Sequence, residues 1–320
     1  MIDRLTIDDN WKLSTPICLI IFKRPEVTRK VLNVIRQVRP PRLFVAADGP
    51  RVNIPEEAEQ CLAARAVLEE IDWECQVYKN YSDVNMGCRN RVSTGITWAL
   101  SHEESIIVLE DDCLPTYGFF YFCDKLLEKY KNDERIMVIS GNNFQDGISR
   151  SEYSYYFSKY PHCWGWATWR RAWKYWEFNY HKWQKCKQSG LLESVHKDPD
   201  EFHYWTTLLE QMFTTGKPDS WVYPWGLACW LQNGLTILPN YNLVSNIGFN
   251  IDSTHTKDKN SQLANLLTYE ISEISHPEFI QIDYRADRYT YEKIFKPKSK
   301  RFIILRFFNI IKKLFRSNYA

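Results

Sequence analysis

The chain has 320 residues, 44% of them apolar, and a formal net charge of +2. That length suits one large α/β domain with additions or two domains, with enough apolar residues for a sizeable core. So small a charge excludes an electrostatic case for a nucleic-acid partner, and nine single cysteines without zinc spacing point to reduced thiols in a cytoplasmic setting.

Met1–Ile2–Asp3–Arg4 offers no apolar signal core, and no stretch is long enough to span a bilayer. Residues 16–22 read as a first buried strand, stopped by Lys23–Arg24–Pro25. Val27, Val31, Leu32 and Ile35 then recur at helical spacing. Residues 43–47 form a second strand that ends at Asp48–Gly49–Pro50–Arg51. Pro55 with Glu56 and Glu57 opens a second helix. A third strand at 75–78 leads to Asn85–Met86–Gly87–Cys88–Arg89–Asn90–Arg91 and a third helix carrying Val92, Ile96 and Leu100.

The fourth strand, 105–109, is short, apolar and β-branched, and it runs into Glu110–Asp111–Asp112. Ligands of open α/β sheets gather at the carboxyl ends of strands. Three adjacent acids there repel one another, and a hard cation such as Mn²⁺ or Mg²⁺ relieves that repulsion. The competing reading is a solvated acidic turn before the helix at 115–130. The alternation of strand and helix predicts a doubly wound, mostly parallel sheet. Charged or polar clusters at each strand end predict a nucleotide crevice, although neither GxGxxG nor a P-loop is present.

A fifth strand at 136–139 ends at Ser140–Gly141–Asn142–Asn143. Tryptophans then crowd residues 153–183, where filling a core is the default role and stacking on sugar rings the alternative. Residues 194–197 read as a polar connection, residues 202–213 as a helix ended by Gly216, and 236–238 as a strand. Between residues 293 and 316 the chain carries nine Lys or Arg and no acid. Its apolar residues fall on one helical face, which suits an anionic membrane surface, a packed terminal helix or a partner-binding helix.

Taken as an ordered set over residues 14–256, these stretches resemble a known family. Ile107–Val108–Leu109–Glu110–Asp111–Asp112 before Phe119–Phe120 resembles the metal-binding stretch of N-acetylglucosaminyltransferase I-like enzymes. Cys163–Trp164–Gly165–Trp166 resembles their acceptor-side motif. Ala47–Asp48–Gly49–Pro50–Arg51, Asn85–Met86–Gly87–Cys88 and Asn242–Leu243–Val244–Ser245–Asn246–Ile247–Gly248–Phe249 resemble related bacterial sugar-nucleotide glycosyltransferases. The implied fold is GT-A: α/β, with a Rossmann-like, mostly parallel sheet flanked by helices, an acceptor-side half and a C-terminal basic amphipathic helix. The expected division is a nucleotide-sugar half at 14–145, an acceptor and catalytic half at 146–260 and an extension at 261–320.

The resemblance also implies roles. Phe22, Arg24 and Asp48 would line base and ribose, with Arg24 able to meet phosphate, and Arg89 and Arg91 would face the diphosphate at a helix N-terminus. Asp112 would bind the metal, Asp111 would hold ribose or sugar hydroxyls, and Glu110 would support them. His255 would return to the metal or diphosphate. Relatives commonly place an acid directly after the tryptophan matching Trp221, where this chain has Val222. Asp219 is therefore the expected proton acceptor, ahead of Glu210 and Asp252. The implied activity is metal-dependent transfer of a sugar, with inversion, from a nucleoside-diphosphate donor such as a UDP-sugar to a glycan or lipid-linked acceptor. Surface polysaccharide synthesis, at the inner membrane face, is the implied setting. The alternatives are a silent nucleotide-sugar or glycan binder and a sugar-phosphate nucleotidyltransferase.

Overall fold

The computed structural model describes residues 7, 10–249 and 263–296. The first half alternates as expected: β1 (Ile17–Ile21), α1 (Pro25–Val38), β2 (Arg42–Ala47), α2 (Glu56–Ala66), β3 (Gln76–Tyr81), α3 (Cys88–His102) and β4 (Ser105–Glu110). After β5 (Cys113–Pro115), α4 (Tyr117–Lys129) and β6 (Ile136–Ser140) come two short strands, β7 (Tyr155–Ser158) and β8 (Trp166–Trp169). Helices α5 (Arg170–Trp173), α6 (Tyr180–Ser189), α7 (Leu191–Val195), α8 (Pro199–Thr215) and α9 (Val222–Leu231) lead to β9 (Leu235–Pro239), β10 (Val244–Asn246) and α10 (Tyr284–Thr290).

Eight strands form one sheet in the order β3-β2-β1-β4-β8-β6-β9-β7. The pairs among β3, β2, β1 and β4 are parallel, as is β6 with β9, while β8 is antiparallel to both neighbours and β7 to β9. The α/β architecture read from the sequence is therefore present, with antiparallel strands confined to the second half. Alternation along each strand divides the core. Ile17, Leu19, Ile21, Ile107 and Leu109 pack with α1 and α4 on one face. Cys18, Ile20, Ile106 and Val108 pack with α3, α5 and α9 on the other.

The tryptophans largely take their default role, since Trp166, Trp183, Trp221 and Trp225 are fully buried. Residues 191–195 are helical, not the polar connection expected around 194–197. Because β8 is antiparallel to β4 and β6, its first residue lies at the rim where those strands end. Asp48, Phe22–Arg24, Glu110–Asp112, Trp164 and Asn142 are thus ordered along a single sheet edge. The small β5–β10 ladder pairs Cys113 with Asn246 and brings residues 246–248 beside Asp112.

Strands from before and after residue 145 share this sheet, and the segment beyond residue 262 packs on both parts. Glu270 accepts from the Gly118 amide at the start of α4 at 2.7 Å, and Asp287 of α10 accepts from the Lys159 amide at 3.1 Å. The expected terminal amphipathic helix falls outside the described residues. Among those that are described, no helix is long and apolar enough to cross a membrane.

Candidate active site

A cavity of about 700 Å³ opens along this sheet edge. Its lining includes Phe22, Arg24, Asp48, Arg91, Glu110, Asp111, Asp112 and Asp219, which come from five separate parts of the chain. Arg89 is not among the lining residues. Its guanidinium lies 3.9 Å from the centre of the Phe178 ring and donates to the Gly216 carbonyl at 3.2 Å. His255 and Asp252 lie outside the described residues. Glu210 is turned away, accepting from the Trp183 indole at 2.8 Å and from Lys187 at 3.0 Å.

At the end of β4, Arg24 spans two acids. Its Nη2 donates to Asp111 and, at 2.9 Å, to Asp112 Oδ2. The Phe22 amide also points at Asp111 Oδ2, at 3.4 Å. Burial raises the Asp111 carboxyl above its ordinary range, and the Arg24 charge opposes that shift. Glu110 is pushed up to about 8 by burial and by repulsion from Asp112 and Asp111. The acidic turn is thus neither solvated nor unpaired: the loop after β1 supplies a cation to the loop after β4.

Asp48 lines the cavity and also holds the neighbouring turn. Its Oδ1 accepts from the Gly49 and Met86 amides at 2.9 and 2.8 Å, and its Oδ2 accepts from Asn85 at 3.1 Å. Burial raises its carboxyl despite these bonds. Asp48 therefore shapes the 85–88 turn as well as facing the cavity. Arg91, 4% exposed, donates to the Asn80 side chain at 3.1 Å.

The N-terminus of α3 holds a protein carboxylate. Gly87 precedes the helix at φ +78° and supplies no side-chain cap, and the Cys88 amide donates to Asp219 Oδ2 at 3.0 Å across 131 residues of sequence. The partial positive charge of a helix start favours an anion there. Sequence reading assigned that place to a diphosphate flanked by Arg89 and Arg91. The folded chain seats Asp219 there, because the loop before α9 docks on the opening of α3.

The residues do not form a cation cage of their own, since among the described residues no group of three or more His, Cys, Asp or Glu side chains is arranged to hold a metal ion. Asp112 lines the cavity with its side chain 13% exposed, and Gly248 packs so closely that a Cβ would meet Asp112 Oδ2 at 2.1 Å. One carboxylate and the phosphate oxygens of a ligand are an ordinary provision for Mg²⁺. Asp112 fits that shared arrangement.

Other lining residues carried no role in the sequence reading. Asn142, His162 and Tyr223 line the cavity beside Trp164. Asn142, His162 and Trp164 stood in stretches already singled out, but no residue pattern gave His162 or Tyr223 a role of its own.

No protein-family model matches the chain, and no curated protein matches it. Among solved structures it is similar to a mannosyltransferase from Pyrobaculum calidifontis in complex with GDP-Man and Mn²⁺, at 14% identity and TM-score 0.34. That match covers 52% of this chain and 47% of the other, so the chain spans about half of the mannosyltransferase's length. It is also similar to a 4-diphosphocytidyl-2C-methyl-D-erythritol synthase from Anaerococcus prevotii, at 9% identity and TM-score 0.29, over 49% and 72% of the two chains. A UDP-glucose pyrophosphorylase complexed with UDP-glucose matches at 11% identity and TM-score 0.27, over 45% and 62%. Likeness at this level decides nothing about chemistry, which has to come from the cavity itself.

Proposed function

We propose that the chain is a metal-dependent glycosyltransferase acting on a nucleoside-diphosphate sugar. One observation carries the reading: Asp112, Asp219 and the loops after β1 and β2 line a single cavity. Phe22, with the Arg51 guanidinium 5.5 Å from its ring centre, offers a face for a base, and Asp48 fixes the turn beside it. Arg24 is placed to exchange part of its carboxylate pairing for phosphate. Asp112 would share a divalent cation with the donor's phosphates, and that cation would offset charge on the leaving group.

In the transfer, an acceptor hydroxyl oxygen bonds to the anomeric carbon as the bond from that carbon to the phosphate oxygen breaks. The nucleoside diphosphate leaves with the bonding pair, and the hydroxyl proton passes to Asp219. Attack opposite the leaving group gives inversion. The Cys88 amide holds Asp219 Oδ2 and so fixes the side chain for that role. A glycan or lipid-linked acceptor in surface polysaccharide synthesis is in keeping with this chemistry.

A second reading has its own support. Arg24 already pairs with both Asp111 and Asp112, and Asp219 caps a helix, so the same residues suit a nucleotide-sugar binder without turnover. Release of nucleoside diphosphate from UDP- and GDP-sugars, with Mn²⁺ and a glycoside acceptor, separates the two. We expect release by the wild type and a loss of at least a hundredfold in Asp112→Ala and Asp219→Asn. Binding of a donor with no release from any of them selects the second reading.

A further inference from the structure

Beyond β8 the cavity changes character. Of the cations that line it, Lys23, Arg24, Arg51 and Arg91 belong to the β1, β2 and α3 side, and Lys217 sits exposed on the loop leading to Asp219. Beside residues 142–144 and 161–164 the lining is aromatic, with Phe144 and Trp164, and Tyr223 of α9 also faces the cavity. Phe144 packs edge-on against Trp164 and against His162, with ring centres 5.3 and 4.8 Å apart.

Two buried polar groups in this wall have no hydrogen-bond partner among the described residues: Asn142 Nδ2 and His162 Nε2. Asn142 is 1% exposed and His162 5% exposed. The orientation of the Asn142 amide is fixed from behind. Its Oδ1 accepts from the Trp164 amide and from Ser140 Oγ, both at 3.1 Å, which leaves Nδ2 as the unused donor. Burial lowers the His162 imidazole to about 3, so it is neutral and offers one uncharged hydrogen-bonding nitrogen here. A buried polar group left unpaired costs folding free energy; both atoms are almost wholly covered, so a ligand hydroxyl recovers that cost by meeting them as the side chains turn toward the cavity.

We propose that Asn142 and His162 are specificity-determining residues that read the hydroxyls of an uncharged sugar ring on the acceptor. Phe144, Trp164 and Tyr223 supply the apolar walls for that ring. The proposal rests on the glycosyltransferase reading and narrows it, because this end has neutral polar groups where an acceptor phosphate would require cations.

The test uses the full chain in saturation-transfer NMR, with UDP and GDP as nucleotide probes. The acceptor probes are the methyl glycosides of glucose, galactose, mannose and N-acetylglucosamine, with benzyl phosphate as the charged probe. Asn142→Asp keeps the backbone-held acceptor oxygen and removes the donor; His162→Gln and His162→Phe keep and remove a polar tip. Thermal melts establish that each variant folds. We expect at least one glycoside to bind, about tenfold more weakly in Asn142→Asp and His162→Phe and with partial recovery in His162→Gln, while nucleotide binding stays unchanged. Glycoside binding that is equal in all variants, or benzyl phosphate binding in place of the glycosides, overturns the proposal. Nucleotide binding without glycoside binding overturns it alone; loss of both overturns the glycosyltransferase reading with it.

Discussion

Two glycines set the two carboxylates on which the proposed chemistry turns. A Cβ on Gly248 would meet Asp112 Oδ2 at 2.1 Å, and one on Gly87 would meet Asp219 Oδ2 at 2.6 Å. Gly87 also sits at φ +78°, a conformation that strains any L side chain. Gly248→Ala should push Asp112 aside and cut nucleoside-diphosphate release about a hundredfold, since a shift of ~1 Å at a reacting group costs that much. Gly87→Ala should in addition lower the unfolding free energy by about 1–3 kcal/mol, read by urea denaturation. Wild-type release in both variants would show that neither carboxylate needs its present position. At this scale the sequence was informative about which acids mark strand ends and silent about their partners. Nothing near Asp48 in sequence reveals that the Met86 amide is its donor, and nothing near Asp219 reveals Cys88.

Among the elements, α10 shows how a distal segment is held to the sheet. Asp287, deeply buried, accepts from Ser158 Oγ and the Lys159 amide at the end of β7. Burial raises its carboxyl from 3.8 to about 7, against the Ser158 bond and the nearby Lys159 charge. The folded state then binds a proton that the unfolded chain has released, so stability falls as pH rises from about 4 to about 7. Nearby Glu201 has the opposite sign. Burial opposes the shift, but His196 at 2.8 Å and Lys159 at 2.7 Å help bring it from 4.5 to about 2, so its contribution is present above 4.5 and is lost as pH falls toward 2. Asp287→Asn should therefore flatten the pH dependence of unfolding between about 4 and 7 and leave the acid limb intact. Urea midpoints across pH 3–8 check it, and an unaltered slope in the variant would refute the assignment. Helix α9 shows why some elements escaped the sequence. Its ten residues are apolar almost throughout and seven are buried, so it carries no amphipathic period.

At the scale of the whole molecule, one sheet carries both sides of the cavity. A ligand that fills it contacts loops after β1, β2, β4 and β6 together, and so stabilises the fold as a unit. UDP or GDP with Mn²⁺, at a hundred times its dissociation constant, should raise the unfolding free energy by about 2.7 kcal/mol. A thermal melt measures this, and an unmoved midpoint with every nucleotide would remove the donor side of the proposal. The sequence by itself determined the local elements of the first half, because alternation with period 2 and helical spacing are properties of adjacent residues. It also determined that acids and bases close the strands. Only the tertiary structure decided that β8 inserts antiparallel between β4 and β6, that Arg24 bridges Asp111 and Asp112, that Arg89 turns toward Phe178 and that Asp219 reaches α3. Those contacts join residues tens to more than a hundred positions apart. They follow from which apolar faces bury one another, and no local period in the chain records that choice.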